Sequence, residues 1–266
     1  TKPSDVYKPG TTLDRTLEYG GKSVPIYRDR PLNVFSDVDF IWTDEENENR
    51  RRLEYLGGEF RTRYGIDVSS FQGEIDWDAV ADDNIDFAMV RVGFRGTGTG
   101  SLNTDKYYEQ NIRGAMRAGL ETGVYFFAQA VTVEEAIEEA DYVISLLDGL
   151  DINGPVAYDW EMHDSTYRVY GTSPEMATAC AVAFCERIKD AGYTPMVYGG
   201  TYVTYMKYDQ GALADYLSWY PEYKSEKSEK LCPTLVYHMD YWQFSSSRAV
   251  AGINGRVDMN IQFIRR

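Results

Sequence analysis

In the stretch GPVAYDWEMHDS (154–165), Asp159 and Glu161 close an apolar run, with Trp160 between them. Gly-Pro followed by apolar residues reads as entry into a buried strand. Strand side chains alternate faces, so residues i and i+2 project together, with Cα atoms about 6.6 Å apart. Asp159 and Glu161 are therefore expected side by side, and Trp160 on the opposite face. Two carboxyls this close in a poorly solvated place cannot ionise independently, and the Coulomb cost raises the pKa of one of them. One proton held near neutral pH beside a charged partner suits glycosidic-bond hydrolysis. A carboxylic acid protonates the leaving oxygen while a negative group supports the oxocarbenium-like transition state. Alone, Asp-x-Glu is weak evidence, since a solvated strand end or a helix-capping acid gives the same pattern.

Other residues at strand ends strengthen the pattern. Asp67 closes GIDV, Tyr125 lies late in TGVYFF, Tyr198 closes PMVY, and Trp219, Trp242 and Asp258 fall on the last three apolar segments. In parallel barrels, chemistry collects at the C-terminal ends of the strands. Carboxylates and aromatics arriving together there would form an acidic cleft whose rings stack on sugar C–H faces. Each also has a plainer explanation. Asp67 fits an Asx-type turn with Ser69 and Ser70, Asp258 a turn after Asn254-Gly255, and Trp219 and Trp242 the core.

The elements that must position these residues follow from periodicity. Apolar strands are expected over 64–70, 86–94, 122–130, 154–161 and 194–200, with helical patterns between them. The clearest helix is 132–148, where Thr132 and Glu135 form a capping box. Its Val133, Ala136, Ile137, Ala140, Val143, Ile144 and Leu147 share a face. Another begins at Ser173-Pro174 and ends at Gly192. After residue 215 three strand-like segments, YLSWY, YHMDYWQFS and GRVDMNIQF, follow with little helix between them. Five strand–helix units and three further strands predict a closed α/β barrel with an incomplete helical ring; an open doubly wound sheet is the second choice. Residues 1–62 differ in character: a hairpin is expected around Gly20-Gly21, and a charged, solvated helix over TDEENENRRRLEY. They read as an N-terminal extension packed on, or tethering, the barrel of 63–266.

The bulk composition limits the partners. The 266 residues carry 27 basic and 42 acidic side chains, a formal charge of −15, which argues against a nucleic-acid partner. No stretch reaches the roughly 18–20 apolar residues of a membrane span. The first residue is Thr, and a removed export signal would leave no trace. Three cysteines make no disulfide framework, and two histidines without metal-type spacing predict no metal site. No cofactor is expected, and a monomer is.

At these residues the chain resembles a known family. GIDVSSFQGEIDW (65–77) is similar to the opening strand and loop of the glycoside hydrolase family 25 lysozymes, and DKYYEQNIRGAMRAGLETGVYFFAQA (105–130) to their second helix and third strand. YDWE matches their Asp-x-Glu strand end, WYPEY (219–223) resembles Trp-x-Ala-x-Tyr, and YWQFSSSRAVAGINGRVDMN (241–260) the closing strands. The resemblance runs from about 64 to 263 and leaves 1–62 uncovered. It implies a (β/α)5(β)3 TIM-like barrel, secretion or cell-surface action, and cleavage of peptidoglycan after N-acetylmuramic acid. It implies Glu161 as general acid, Asp159 positioning the 2-acetamido group or the developing charge, and Asp67 and Asp258 orienting the site. Tyr125, Tyr198, Trp219 and Trp242 are the expected sugar contacts. A covalent intermediate on Asp159 and an oxazolinium formed by the substrate both stay open. Two departures stand out: Phe126 where His is frequent, and Pro221 in place of Ala. A chitinase-like glycosidase and a non-catalytic wall-binding protein are the rival readings.

Overall fold

Gly20 and Gly21 both take positive φ, 57° and 73°. That is the type I′ requirement, and they join strands β1 (Thr12–Tyr19) and β2 (Lys22–Tyr27) as the expected hairpin. A computed structural model describes all residues from Thr1 to Arg266. The charged run after the hairpin is not the expected helix. It holds a single 3-10 turn at Glu48–Arg50 and β4 (Leu53–Tyr55), which pairs antiparallel with β3 (Phe40–Trp42) just before the run. Two of its arginines go to a specific partner: Arg50 and Arg52 both pair with Asp83, at 2.7 and 3.2 Å, while its acidic residues stay exposed. Leu53 and Phe40 are buried.

The barrel begins with β5 (Phe60–Val68), four residues earlier than the sequence suggests. It continues through α1 (Trp77–Asp82), β6 (Phe87–Arg95), a short antiparallel appendage β7 (Leu102–Thr104), α2 (Tyr108–Arg117) and β8 (Glu121–Ala128). Then follow α3 (Val133–Leu146), β9 (Val156–Trp160), α4 (Pro174–Asp190), β10 (Pro195–Tyr198) and α5 (Thr201–Met206). The last strands, β11 (Leu217–Pro221), β12 (Tyr241–Arg248) and β13 (Val257–Arg265), have no α-helix between them. Strand order β5-β13-β12-β11-β10-β9-β8-β6, with β6 pairing back onto β5, closes an eight-stranded barrel. β13 alone runs antiparallel to both of its neighbours. The open doubly wound sheet is thereby excluded.

The helix termini follow local chemistry. Thr132 Oγ1 accepts from the Glu135 N–H at 3.2 Å. The Glu135 carboxylate, however, accepts from Val131 N at 2.8 Å instead of from Thr132, so the capping box is only half formed. Ser173 caps α4 by accepting from Met176 N at 3.2 Å, with Pro174 in the first turn. On α3 the expected face is buried except at Ile137 and Ile144, and Glu139, which the apolar pattern passes over, is fully buried on it.

Strand parity sorts the side chains. Phe87, Met89, Ala157, Met196, Tyr198, Trp219 and Tyr241 fill the barrel interior. Gly65 belongs there because a Cβ at that position would come within 2.1 Å of the Phe87 ring. Outside, helices cover the parallel strands, but none covers β12 and β13. The N-terminal segment takes their place. Phe40 packs edge-on against Trp242 at 5.4 Å, Trp42 lies 6.3 Å from Phe244, and Phe35 sits 4.5 Å from Phe263. Arg248 stacks on Trp42 at 4.4 Å and donates to Glu48 O at 2.6 Å. The β1–β2 hairpin settles elsewhere, with Tyr19 against Tyr205 at 5.3 Å.

Candidate active site

Four carboxyls reach the C-terminal mouth of the barrel from three strands and one strand end. Asp67 (β5) and Asp258 (β13) are register partners. Asp159 is the penultimate residue of β9, and Glu161 follows the strand. All four line one cavity of about 260 Å³ with Tyr125, His163, Tyr198, Trp219, Tyr223 and Gln243. A second lobe of about 240 Å³ shares Glu161, His163, Tyr198 and Tyr223 and adds Gly200 and Pro221.

The acids act on one another in two pairs. In the first, burial and then the Glu161 charge push Asp159 well above the usual carboxylate range. Asp159 is 6% exposed, whereas a quarter of the Glu161 side chain is exposed, so the buried member holds the proton. In the second, burial and then the charge of Asp67 raise Asp258 to about 9. Burial raises Asp67 too, but hydrogen bonds from Asn260 and Gln243 oppose it. Asn260 Nδ2 donates to Asp67 Oδ2 at 2.8 Å and Gln243 Nε2 at 2.9 Å, which marks Asp67 as the anion.

These amides are themselves held. Trp219 Nε1 donates to Asn260 Oδ1 at 2.8 Å, and Tyr198 and Tyr223 both donate to Gln243 Oε1 at 3.0 Å. With their amide oxygens occupied, both side chains must turn NH2 toward Asp67. Trp219 is the floor of the cleft rather than an exposed platform: it is 2% exposed and meets Tyr198 at 4.9 Å and Tyr125 at 5.8 Å, both edge-on.

Glu161 is fixed from two directions. Its backbone carbonyl accepts from Gln129 Nε2 at 2.7 Å. Gln129 is in turn held by its own N–H on Glu139 Oε1 at 3.0 Å, and Arg95 donates to that same oxygen at 2.8 Å. The side chain of Glu161 meets His163, whose Nε2 lies 2.9 Å from Oε2. Arg168 ties the loop after β9 to α3, donating to both Glu135 oxygens at 2.8 and 2.9 Å.

The sequence expectations divide accordingly. Asp67, Asp159, Glu161, Asp258, Tyr125, Tyr198 and Trp219 come together in the cleft. Trp242 does not. It is fully buried on the outer face of β12, its ring against Phe40 and Phe244 and its Nε1 donating to Glu222 O at 3.0 Å. Parity explains the correction, because Tyr241 and Gln243 face inward and leave Trp242 facing out. Phe126 likewise points outward, against Tyr142 at 6.2 Å, so its difference from the family's frequent His does not touch the cleft. The residues that sequence reasoning passed over are Gln243, Tyr223 and His163 in the cleft and the buried Asn260 behind Asp67. Asn260 was accessible to it as the i+2 neighbour of Asp258; His163 lies in a loop with no period to read. No group of three or more His, Cys, Asp or Glu side chains is arranged to hold a metal ion, and no helix is long and apolar enough to cross a membrane.

Known proteins share the sequence pattern and the fold of this chain. Residues 66–253 match the family model of the glycosyl hydrolases family 25. The autolytic lysozyme of Clostridium acetobutylicum is 26% identical over 197 residues, covering 74% of this chain and 54% of that protein. The chain thus spans about half the length of that relative. Among solved structures, the spore cortex lytic enzyme SleM of Clostridium perfringens superposes with a TM-score of 0.64 at 23% identity, over 76% of this chain and 67% of its own. The modular autolysin LytC of Streptococcus pneumoniae also gives 0.64, at 24% identity, over 94% of this chain and 58% of its own. At those identities the two structures establish the shared fold.

Proposed function

The chain belongs to glycosyl hydrolase family 25, and from that premise we propose that it is a lysozyme, hydrolysing the β-1,4 bond between N-acetylmuramic acid and N-acetylglucosamine in peptidoglycan. The supporting observation is the convergence of four carboxyls in one aromatic-walled cleft, where burial and neighbouring charge raise Asp159 and Asp258 above the usual carboxylate range. We read the barrel as (β/α)5(β)3, with residues 1–62 an extension that covers the strands the helices leave bare.

In this reading one proton serves two residues. With the cleft empty it rests on the buried Asp159, beside Glu161. A bound sugar excludes water from the pair, and the proton passes from Asp159 to Glu161. Glu161 then protonates the leaving oxygen as the glycosidic bond breaks, and the newly ionised Asp159 faces the positive charge developing at the anomeric carbon or the acetamido group beside it. A water attacks in turn, giving its proton to the Glu161 carboxylate and its hydroxyl to the sugar. Asp67, fixed by its two amide donors, and the protonated Asp258 orient the ring; Tyr125, Tyr198 and Trp219 contact it. We assign the action to the cell surface or exterior, by a monomer that needs no cofactor and has no nucleic-acid partner.

Replacing Glu161 with Gln tests this assignment. The variant should release reducing sugar from purified peptidoglycan about 10²–10⁴-fold more slowly with an unchanged melting curve. The wild type should leave chitin intact. Near-normal lysis by E161Q ends the assignment, and cleavage of chitin but not peptidoglycan moves it to a chitinase.

A further inference from the structure

At 84% exposure Phe71 is the most exposed large apolar side chain of the protein. An isolated exposed apolar residue is ordinary, but this one is held rigidly. It sits in the 3-10 turn Ser70–Gln72 after β5. Ser69 Oγ accepts from Phe71 N at 3.2 Å, and Gln72 Oε1 accepts from Ser69 N at 2.8 Å. Ser70 N donates to Asp105 Oδ2 at 2.9 Å. The same oxygen, on a carboxylate only 1% exposed, accepts from Arg91 Nε at 2.9 Å. Arg91 also reaches Ser70 Oγ at 3.3 Å. One buried carboxylate therefore fixes both the loop backbone and the guanidinium, which lies 5.1 Å from the Phe71 ring centroid and 5.4 Å from that of Phe94. One face of the Phe71 ring is backed by a cation, and the rest stands in water.

The position relates this assembly to the cleft. Arg91 lies two residues beyond the interior Met89 and pairs in register with Tyr125. Its charge acts on both Asp159 and Tyr125. Phe71 itself does not line the acid cavity. It stands beside the mouth on the β5–β6 side, while the opposite flank carries Pro221 and the half-exposed Tyr223.

We propose that Phe71, braced by Arg91, is a sugar-binding platform outside the acid pocket, on which the C–H face of a pyranose ring in the continuing glycan strand stacks. The proposal rests on the reading of the cleft as a glycan hydrolase. A strand crossing the acids must leave the pocket on both sides, and an aromatic ring awaits it on each. The chemistry suits a pyranose: an apolar ring face is covered by an apolar tile, while hydroxyls at its edge remain in water. Because the tile is already ordered, stacking incurs little additional entropy loss.

Peptide-free glycan strands provide the test, using wild type, F71A and F71W. F71A should raise KM for such strands about tenfold, the loss of one stacked ring, with kcat changed less than threefold, as loss of uniform binding requires. F71W should restore KM. An unchanged KM in F71A overturns the proposal, as does a loss confined to strands that carry stem peptides, which would make Phe71 a peptide contact. Direct binding of the same strands, followed by tryptophan fluorescence, separates the two readings. If the wild type binds without releasing reducing sugar, the hydrolase assignment fails, while a tenfold weaker Kd for F71A still supports the platform.

Discussion

Asp258 and Asp67 face each other across two antiparallel strands, and burial with mutual repulsion makes that arrangement costly to the fold. A carboxyl raised to about 9 is protonated in the folded protein and ionised in the unfolded chain throughout the interval between its two pKa values. The unfolded state then binds fewer protons, so stability falls as pH rises from about 4 to about 9. Asn at 258 removes this dependence. D258N should be more stable than the wild type by about 1–3 kcal/mol at pH 7, with the difference growing between pH 5 and 9. Denaturant titrations at the two ends of that interval measure it, and a pH-independent difference would mean that Asp258 carries no such proton. The same variant should lose activity if Asp67 and Asp258 orient the sugar ring as proposed. At this scale the sequence was legible where strand parity was applied, as with Asp159 and Glu161. It misled at Trp242, chosen for its type although its neighbours Tyr241 and Gln243 carry the inward parity. The amides that fix Asp67 were not legible, because Gln243 and Asn260 acquire their roles only when β12, β13 and β5 pair.

Among the elements, the N-terminal segment does the work of missing helices. β12 and β13 have no helix outside them, yet Trp242, Phe244 and Phe263 are almost wholly buried because Phe35, Phe40, Trp42 and Tyr55 cover them. F40A should therefore cost about 3–5 kcal/mol of stability, as for a large aromatic lost from a packed core, measured as the unfolding free energy of the whole protein. An unaltered barrel transition would show the segment to be a dispensable appendage. The barrel's strands and its longer helices were readable from period and caps, since burial on one side or both imposes those periods directly. The segment from Thr43 to Tyr55 was not. Its charges imitate a solvated helix, but Leu53 is drawn into the core and the arginines are drawn to Asp83, so tertiary contacts outweigh local propensity.

For the molecule as a whole, charge is the awkward property. If the substrate is the peptidoglycan proposed above, a chain of formal charge −15 meets a polymer that is itself anionic, and long-range repulsion should slow the encounter. Raising salt from about 10 mM to about 150 mM shortens the screening length from roughly 30 to 8 Å. Lysis of intact walls should therefore speed up over that range, whereas hydrolysis of short uncharged fragments should not. Slower lysis would instead indicate that a positive surface draws the enzyme in. The central claim, that the acidic cleft cuts on the muramic-acid side, is tested most directly by product ends. Digested peptidoglycan, reduced with borohydride and hydrolysed, should yield muramitol as the new reduced terminus. Glucosaminitol in its place, or no new terminus at all, would contradict the account.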